Sequence, residues 1–293
     1  MCAFVGVALG LLGCSDTQPA TSAQSSSSPA SQLYVSLGDS YAAGYQPSAP
    51  HQGATTRNGF AYQLVPRAKT RGHDLQLVNF GCGGATTTSI LQSPGCDQLG
   101  PDGQNYNGQP QASAAEDFLR QNRGRVALIS VSIGGNDVTS CSTKPDPITC
   151  VTGAVQDIKT NLSTLVHGLR DAAGPDVLIV GITYPDVVLG AWVTGQPAAQ
   201  NLAKLSVTAF QSLINPALQQ EYQSVGGTFI DVTAATGAYG SLDETTTLDP
   251  YGVIPVPVAK VCQLTFICQY QDIHPTNDGY ALIADLIAQT LPP

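Results

Sequence analysis

From Leu33 onward the chain alternates short, nearly continuous apolar runs with longer segments whose apolar residues recur every three or four positions. The short runs fall at 33–37, 75–80, 126–133, 177–182 and 228–232. Runs of this kind, apolar at successive positions, predict strands buried on both faces, as in a parallel sheet covered by helices. The longer segments, 60–71, 113–122, 151–173, 198–222 and 277–290, predict helices; in the last, Tyr280, Ile283, Ala284 and Ile287 share one helical face. Strand and helix alternate along the chain, and right-handed crossovers then predict an α/β three-layer sandwich with five parallel strands. No internal repeat or charge run marks a second domain, so residues 32–293 are expected to fold as one. The stretch 233–270 lacks periodicity and carries Pro250, Pro255 and Pro257. It is expected to be a long working loop or lid, because structureless connections of that length are uncommon in compact domains.

The first residues follow a different pattern. The apolar run 3–12 is too short to span a bilayer core, which takes about 20 residues, and reads as a signal-peptide segment. It leads into Leu11-Leu12-Gly13-Cys14, which resembles a bacterial lipobox and predicts lipidation at Cys14 after removal of the preceding residues, the alternative being a plain secretory signal with an incidental Cys and a secreted product. The first Lys or Arg is Arg57, so the basic residues expected ahead of such a run are missing, which points to a start upstream of Met1. Residues 15–31 are mostly Ser, Ala, Thr, Gln and Pro and predict a flexible tether. Apart from Cys2 and Cys14, the cysteines are Cys82, Cys96, Cys141, Cys150, Cys262 and Cys268, an even number in three local pairs. In an exported chain this predicts disulfides, with 82 to 96, 141 to 150 and 262 to 268 each closing a short loop. There is no C-x2-C pair and no neighbouring histidine, which argues against a metal site.

Charge narrows the partners. Twelve Lys and Arg against 21 Asp and Glu leave a net charge of -9, and charged residues are only 11% of the chain. Neutralising a phosphate backbone takes clustered cations, so a nucleic-acid partner is not expected.

Candidate chemistry sits at the predicted strand ends, where open α/β sheets keep their sites. The first strand runs into Gly38-Asp39-Ser40, the second into Gly81-Cys82-Gly83-Gly84-Ala85-Thr86-Thr87, and the third into Gly134-Gly135-Asn136-Asp137. Near the far end, Asp272-Ile273-His274-Pro275-Thr276 places a histidine just ahead of a capped helix. A serine hydroxyl needs a neighbouring base before it attacks a carbonyl, and His274 is the candidate base for Ser40.

With these four blocks in order, the chain resembles the SGNH, or GDSL, hydrolases over residues 33–290. The resemblance implies a flavodoxin-like sandwich and a serine ester hydrolase working through an acyl-enzyme on Ser40, without metal or cofactor. It further implies an oxyanion hole made by the main-chain N–H of Ser40, that of Gly84 and the side-chain amide of Asn136. Family members usually carry an Asp three residues before the histidine; here that place is Gln271, and the nearest acid is Asp272. In extended backbone a one-residue shift turns a side chain to the opposite side. Either the chain bends enough for Asp272 to reach His274, or a nearby main-chain carbonyl, such as that of Gln271, orients the ring.

The family's substrates include lipids, short-chain esters, thioesters and acetylated sugars; a lipid or short-chain carboxylic ester is the default expectation. The protein is expected to be an exported monomer, touching a membrane only through an N-terminal lipid anchor. Two alternatives are a carbohydrate acetylesterase and a surface lipoprotein that uses the same fold to bind a ligand without turnover. The apolar but proline-interrupted segment 253–261 is expected to be an irregular stretch packed on the core, or else the wall of an acyl pocket near His274. Ser132 imitates a nucleophile elbow but falls within a predicted strand. Asp39 and Asp137 are expected to hold loop backbone by hydrogen bonds. His51, His73 and His167 are scattered and expected to be surface or hydrogen-bonded core residues.

Overall fold

The computed structural model describes residues 1–6 and 31–293. Residues 1–6 are exposed and without regular structure, with Cys2 a free thiol. Cys14 and nearly all of the expected tether lie outside the described residues. Residues Ser31–Pro293 form one compact unit.

Five strands build its sheet: β1 (Gln32–Gly38), β2 (Leu75–Asn79), β3 (Val126–Ser132), β4 (Leu178–Ile182) and β5 (Thr228–Ile230). They are all parallel, in the order β2-β1-β3-β4-β5. That is the flavodoxin-like order, in which the chain turns to opposite sides of the sheet after β1 and β3, opening a crevice beyond their carboxyl ends. Alternation along β1 explains the two cores. Leu33, Val35 and Leu37 face one layer with Ile129, Leu162, Leu165 and Leu169, while Tyr34 faces the other with Phe60, Leu64, Tyr280 and Ile287. The first layer is made by helices α3 (Gln111–Gln121), α4 (Pro147–Ala173) and α5 (Asn215–Ser224), the second by α2 (Phe60–Thr70) and α6 (Asn277–Thr290). The start of α4 shows why it begins where it does: the Asp146 side chain accepts from Thr149 N–H, and Pro147 occupies the first turn, where its missing N–H costs nothing.

Two expectations are corrected. The single helix expected over 198–222 is Pro197–Ala209, a π turn Phe210–Ile214, and then α5. Pro216 has no N–H for the carbonyl four residues back, and the wider turn accommodates the missing bond. The stretch 233–270 is not a structureless loop: it holds an antiparallel ribbon, Thr245–Leu248 with Gly252–Pro255, and helices Val256–Leu264 and Ile267–Tyr270. Of the three prolines in the stretch, Pro250 lies in the turn of the ribbon, and the other two sit at a helix start, with Pro255 as the cap and Pro257 in the first turn. Val258, Ala259 and Val261 bury against Leu189, Ala203 and Ala238 in a third, smaller core.

All three cysteine pairs expected from local spacing are bonded: Cys82 to Cys96, Cys141 to Cys150 and Cys262 to Cys268. Among the described residues no helix is long and apolar enough to cross a membrane. The bridges fit an exported chain, since such bonds persist in oxidising compartments.

Candidate active site

Ser40 opens a one-turn helix, α1 (Ser40–Ala43), directly after β1, with Asp39 as its cap accepting from Tyr41 N–H at 3.0 Å. Gly38 makes this turn possible. Its φ is +134°, and a Cβ there would lie 1.9 Å from the Ser132 carbonyl oxygen, so β1 can pass this close to β3 only with glycine.

Across the crevice, His274 brings Nε2 to 2.7 Å from Ser40 Oγ, and its Nδ1 lies 2.7 Å from Asp272 Oδ1. The same carboxylate oxygen accepts from His274 main-chain N–H at 2.9 Å. With Nδ1–H donated to Asp272, Nε2 is left as the acceptor for the Ser40 hydroxyl. Of the two readings left open, the chain follows the bent one: Gln271 takes left-handed backbone angles (φ 55°, ψ 34°) at the end of helix Ile267–Tyr270. The turn re-aims the next side chain, so the group against Nδ1 is Asp272 rather than a carbonyl. Burial alone would hold the Asp272 carboxyl up, but hydrogen bonds from the His274 ring and main chain outweigh it. With smaller help from the charges of His274 and His51, they keep Asp272 below the usual carboxylate range.

The histidine loop is tied down from several sides. Phe266 N–H donates to His274 O at 2.9 Å, Tyr41 O–H donates to Ile273 O at 2.7 Å, and Gln46 Nε2 donates to Pro275 O at 3.2 Å. The Tyr45 ring packs on the imidazole with centroids 4.4 Å apart. Thr276 then caps α6 by accepting from Gly279 N–H. Tyr41, Tyr45 and Gln46 went unremarked in the sequence; neither their type nor their spacing distinguishes them from core residues.

The second and third blocks meet beside Ser40. Asn136 donates one amide hydrogen to Ala85 O at 2.8 Å, which leaves the other to give. Asp137 accepts from Thr87 N–H at 3.0 Å and from the Thr87 hydroxyl at 2.6 Å, locking the two turns together. Gly84 has φ +77° and open space where a Cβ would stand, so its main chain is accessible. Beneath them Tyr184 O–H donates to Asp39 Oδ2 at 2.6 Å, while its ring leaves no room for a Cβ at Gly135. Asp39 is buried; desolvation pushes its carboxyl up to about 7, against the opposing bonds from Tyr184 and Tyr41.

Ser132 is buried inside β3, and its hydroxyl meets no histidine. His167 lies on α4 with Nδ1 against Ser163 O, His73 meets Pro292 O, and His51 sits exposed in a turn. Among the described residues no group of three His, Cys, Asp or Glu is placed to hold a metal ion.

At the switch point of this parallel sheet a hydroxyl, an imidazole and a carboxylate stand in line, the arrangement that nucleophilic catalysis requires. The profile of the GDSL-like Lipase/Acylhydrolase family matches residues 36–282, and the chain belongs to that family of carboxylic ester hydrolases. Its fold is similar to that of the lipase Lip_vut3 from a goat rumen metagenome, with 16% identity, a TM-score of 0.54, and 88% of this chain and 97% of that one covered. An extracellular lipase from Streptomyces rimosus is 17% identical, with a TM-score of 0.48 and coverage of 88% and 100%. A carbohydrate acetylesterase, Est24 from Sinorhizobium meliloti, is 12% identical, with a TM-score of 0.48 and coverage of 88% and 97%. No curated protein sequence matches the chain.

Proposed function

We propose that this protein cleaves lipid or short-chain carboxylic esters through an acyl-enzyme on Ser40. The observation that carries the reading is the continuous line Ser40 Oγ, His274 Nε2, His274 Nδ1, Asp272 Oδ1, with 2.7 Å at each hydrogen bond. Ser40 Oγ attacks the ester carbonyl carbon as its proton passes to His274 Nε2. The carbonyl oxygen becomes an oxyanion, held by the main-chain N–H groups of Ser40 and Gly84 and by the Asn136 amide; one such donor is worth about 10²- to 10³-fold in turnover. The tetrahedral intermediate collapses, the C–O bond to the alcohol breaks, and the alcohol takes the proton from His274. Water then attacks the acyl carbon, giving its proton to His274, and the carboxylic acid departs as Ser40 recovers its proton. Asp272 holds the imidazole in the tautomer this cycle needs and balances the imidazolium that forms.

The three disulfides support export, and the Leu11-Leu12-Gly13-Cys14 pattern supports a lipid anchor on Cys14. The test is hydrolysis of p-nitrophenyl esters of graded acyl length by the purified protein beside Ser40→Ala. Turnover by the wild type and none by Ser40→Ala is expected. Equal rates in the two, or no hydrolysis at any length, would defeat the reading.

A further inference from the structure

Gly38 ends β1 two residues before Ser40, and its main chain is gripped in an irregular way. Beyond β2 the ladder continues with Phe80 N–H donating to Ser36 O at 2.8 Å and Cys82 N–H to Gly38 O at 2.9 Å. In a regular parallel ladder the Gly38 N–H would then donate to the Phe80 carbonyl. That carbonyl instead accepts from the Tyr106 hydroxyl. Gln111 fills the rung: its Oε1 accepts from Gly38 N–H at 2.7 Å and its Nε2 donates to Gly38 O at 3.0 Å. Gln111 is the first residue of α3, 2% exposed and 73 positions away in sequence. On the opposite side Asp39 N–H donates to Ser132 O at 3.0 Å.

We propose that Gln111 is a positioning residue: by holding both polar groups of Gly38 it fixes the direction in which the Ser40 N–H meets the substrate oxygen. This rests on the reading of Ser40 as the nucleophile. Holding α3 in place would not require a two-bond grip on Gly38, since Ala112, Ala115 and Leu119 already anchor that helix in the core. The grip instead falls on a residue whose left-handed backbone sets the turn into Ser40.

A cleft of about 210 Å³ is lined by Gln111 together with Tyr106, Ile90, Gly84 and the Cys82–Cys96 bridge. It offers the space of roughly seven waters at ~30 Å³ each, enough for a small amide to enter once the side chain is cut back. The clamp can therefore be tested by replacing the lost group chemically.

The test uses the full chain with Gln111→Ala. Initial rates on p-nitrophenyl acetate are divided by the number of sites that a fluorophosphonate labels, and thermal unfolding is followed in parallel. Turnover per labelled site is expected to fall about 10- to 100-fold, with KM within about 3-fold, the scale expected of a misplaced reacting geometry. Added acetamide, which carries both the acceptor and the donor, is expected to restore part of that loss in Gln111→Ala and to leave the wild type unchanged. Acetone, which lacks the N–H donor, is expected to restore none. Unchanged turnover per labelled site, with only a lower unfolding temperature, would overturn the proposal, as would equal rescue by acetone. If Gln111→Ala does not accumulate as folded protein, Gln111→Met fills a similar volume without polar groups; wild-type turnover per site in that variant would likewise overturn it. Wild-type hydrolysis with an indifferent Gln111→Ala defeats the clamp alone, whereas a wild type that neither turns over nor takes label at Ser40 defeats the hydrolase reading with it.

Discussion

Asp272→Asn probes how His274 is held. In the folded chain Asp272 Oδ1 serves two donors, the imidazole Nδ1–H at 2.7 Å and the His274 main-chain N–H at 2.9 Å. An asparagine keeps one acceptor oxygen but loses the charge and turns two N–H donors toward whatever the other side of the amide faces. Loss of a charge-assisted hydrogen bond accounts for about 1.5–3 kcal/mol. If the amide nitrogen turns to Nδ1, the ring is held with its proton on Nε2, the tautomer that cannot accept from Ser40. In a protease triad whose Asp is buried, such a change costs about 10⁴-fold because the histidine is left in the wrong tautomer. Here the His274 and Asp272 side chains are 13% and 19% exposed, which admits some water. We therefore expect about 3–5 kcal/mol in the activation barrier, or roughly 10²- to 10⁴-fold in kcat. The assay is kcat on a p-nitrophenyl ester per fluorophosphonate-labelled site, with KM measured alongside. Gln271→Gly, which suits the left-handed turn, is expected to stay within about 3-fold of wild type. A loss below about 10-fold in Asp272→Asn would refute the reasoning and return the orienting role to a main-chain carbonyl.

Two further predictions follow from the geometry around β1 and from the buried acids. Gly38→Ala drives a Cβ to 1.9 Å from the Ser132 carbonyl oxygen, so it is expected to cost more than about 3 kcal/mol of stability. A denaturation midpoint near that of the wild type would contradict the packing described. Asp39 and Asp186 are both buried and pushed up to about 7, desolvation being the main cause in each. Between about pH 4, where an unfolded carboxyl titrates, and about pH 7 the folded chain holds protons that the unfolded chain has lost. Stability from these groups therefore falls as pH rises through that window and levels above it. Asp272 has the opposite sign: its contribution is present above about pH 4 and is lost as pH falls through its depressed folded value. Asp186→Asn, outside the proposed catalytic line, is expected to flatten the decline between pH 4 and 7 in thermal unfolding; an unaltered pH profile would exclude a buried neutral acid there.

Much of this was legible in the sequence because it depends on local pattern. Near-continuous apolar strands flanked by periodic helices specify a parallel sheet, and Gly38-Asp39-Ser40 at the end of the first strand fixes where a nucleophile would stand. What stayed hidden depends on one dihedral angle or on long-range pairing. The left-handed turn at Gln271 decides whether Asp272 meets His274, and glutamine carries no sequence signal for it, unlike a glycine. The Gln111 clamp spans 73 positions, beyond the reach of any periodicity. The order hidden in 233–270 comes from tertiary contacts with the segment around Leu189, and Pro255 and Pro257 mark a helix start that reads equally well as a break. Tyr184, which touches both Asp39 and Gly135, carries no sequence signal that separates it from a core aromatic.

The most direct test of the central claim is covalent labelling by a fluorophosphonate followed by mapping of the modified peptide. The account predicts adduct on Ser40 alone, none anywhere in Ser40→Ala, and labelling at least about 10²-fold slower in His274→Ala. Adduct on another serine such as Ser132, or wild-type labelling speed without the imidazole, would contradict it.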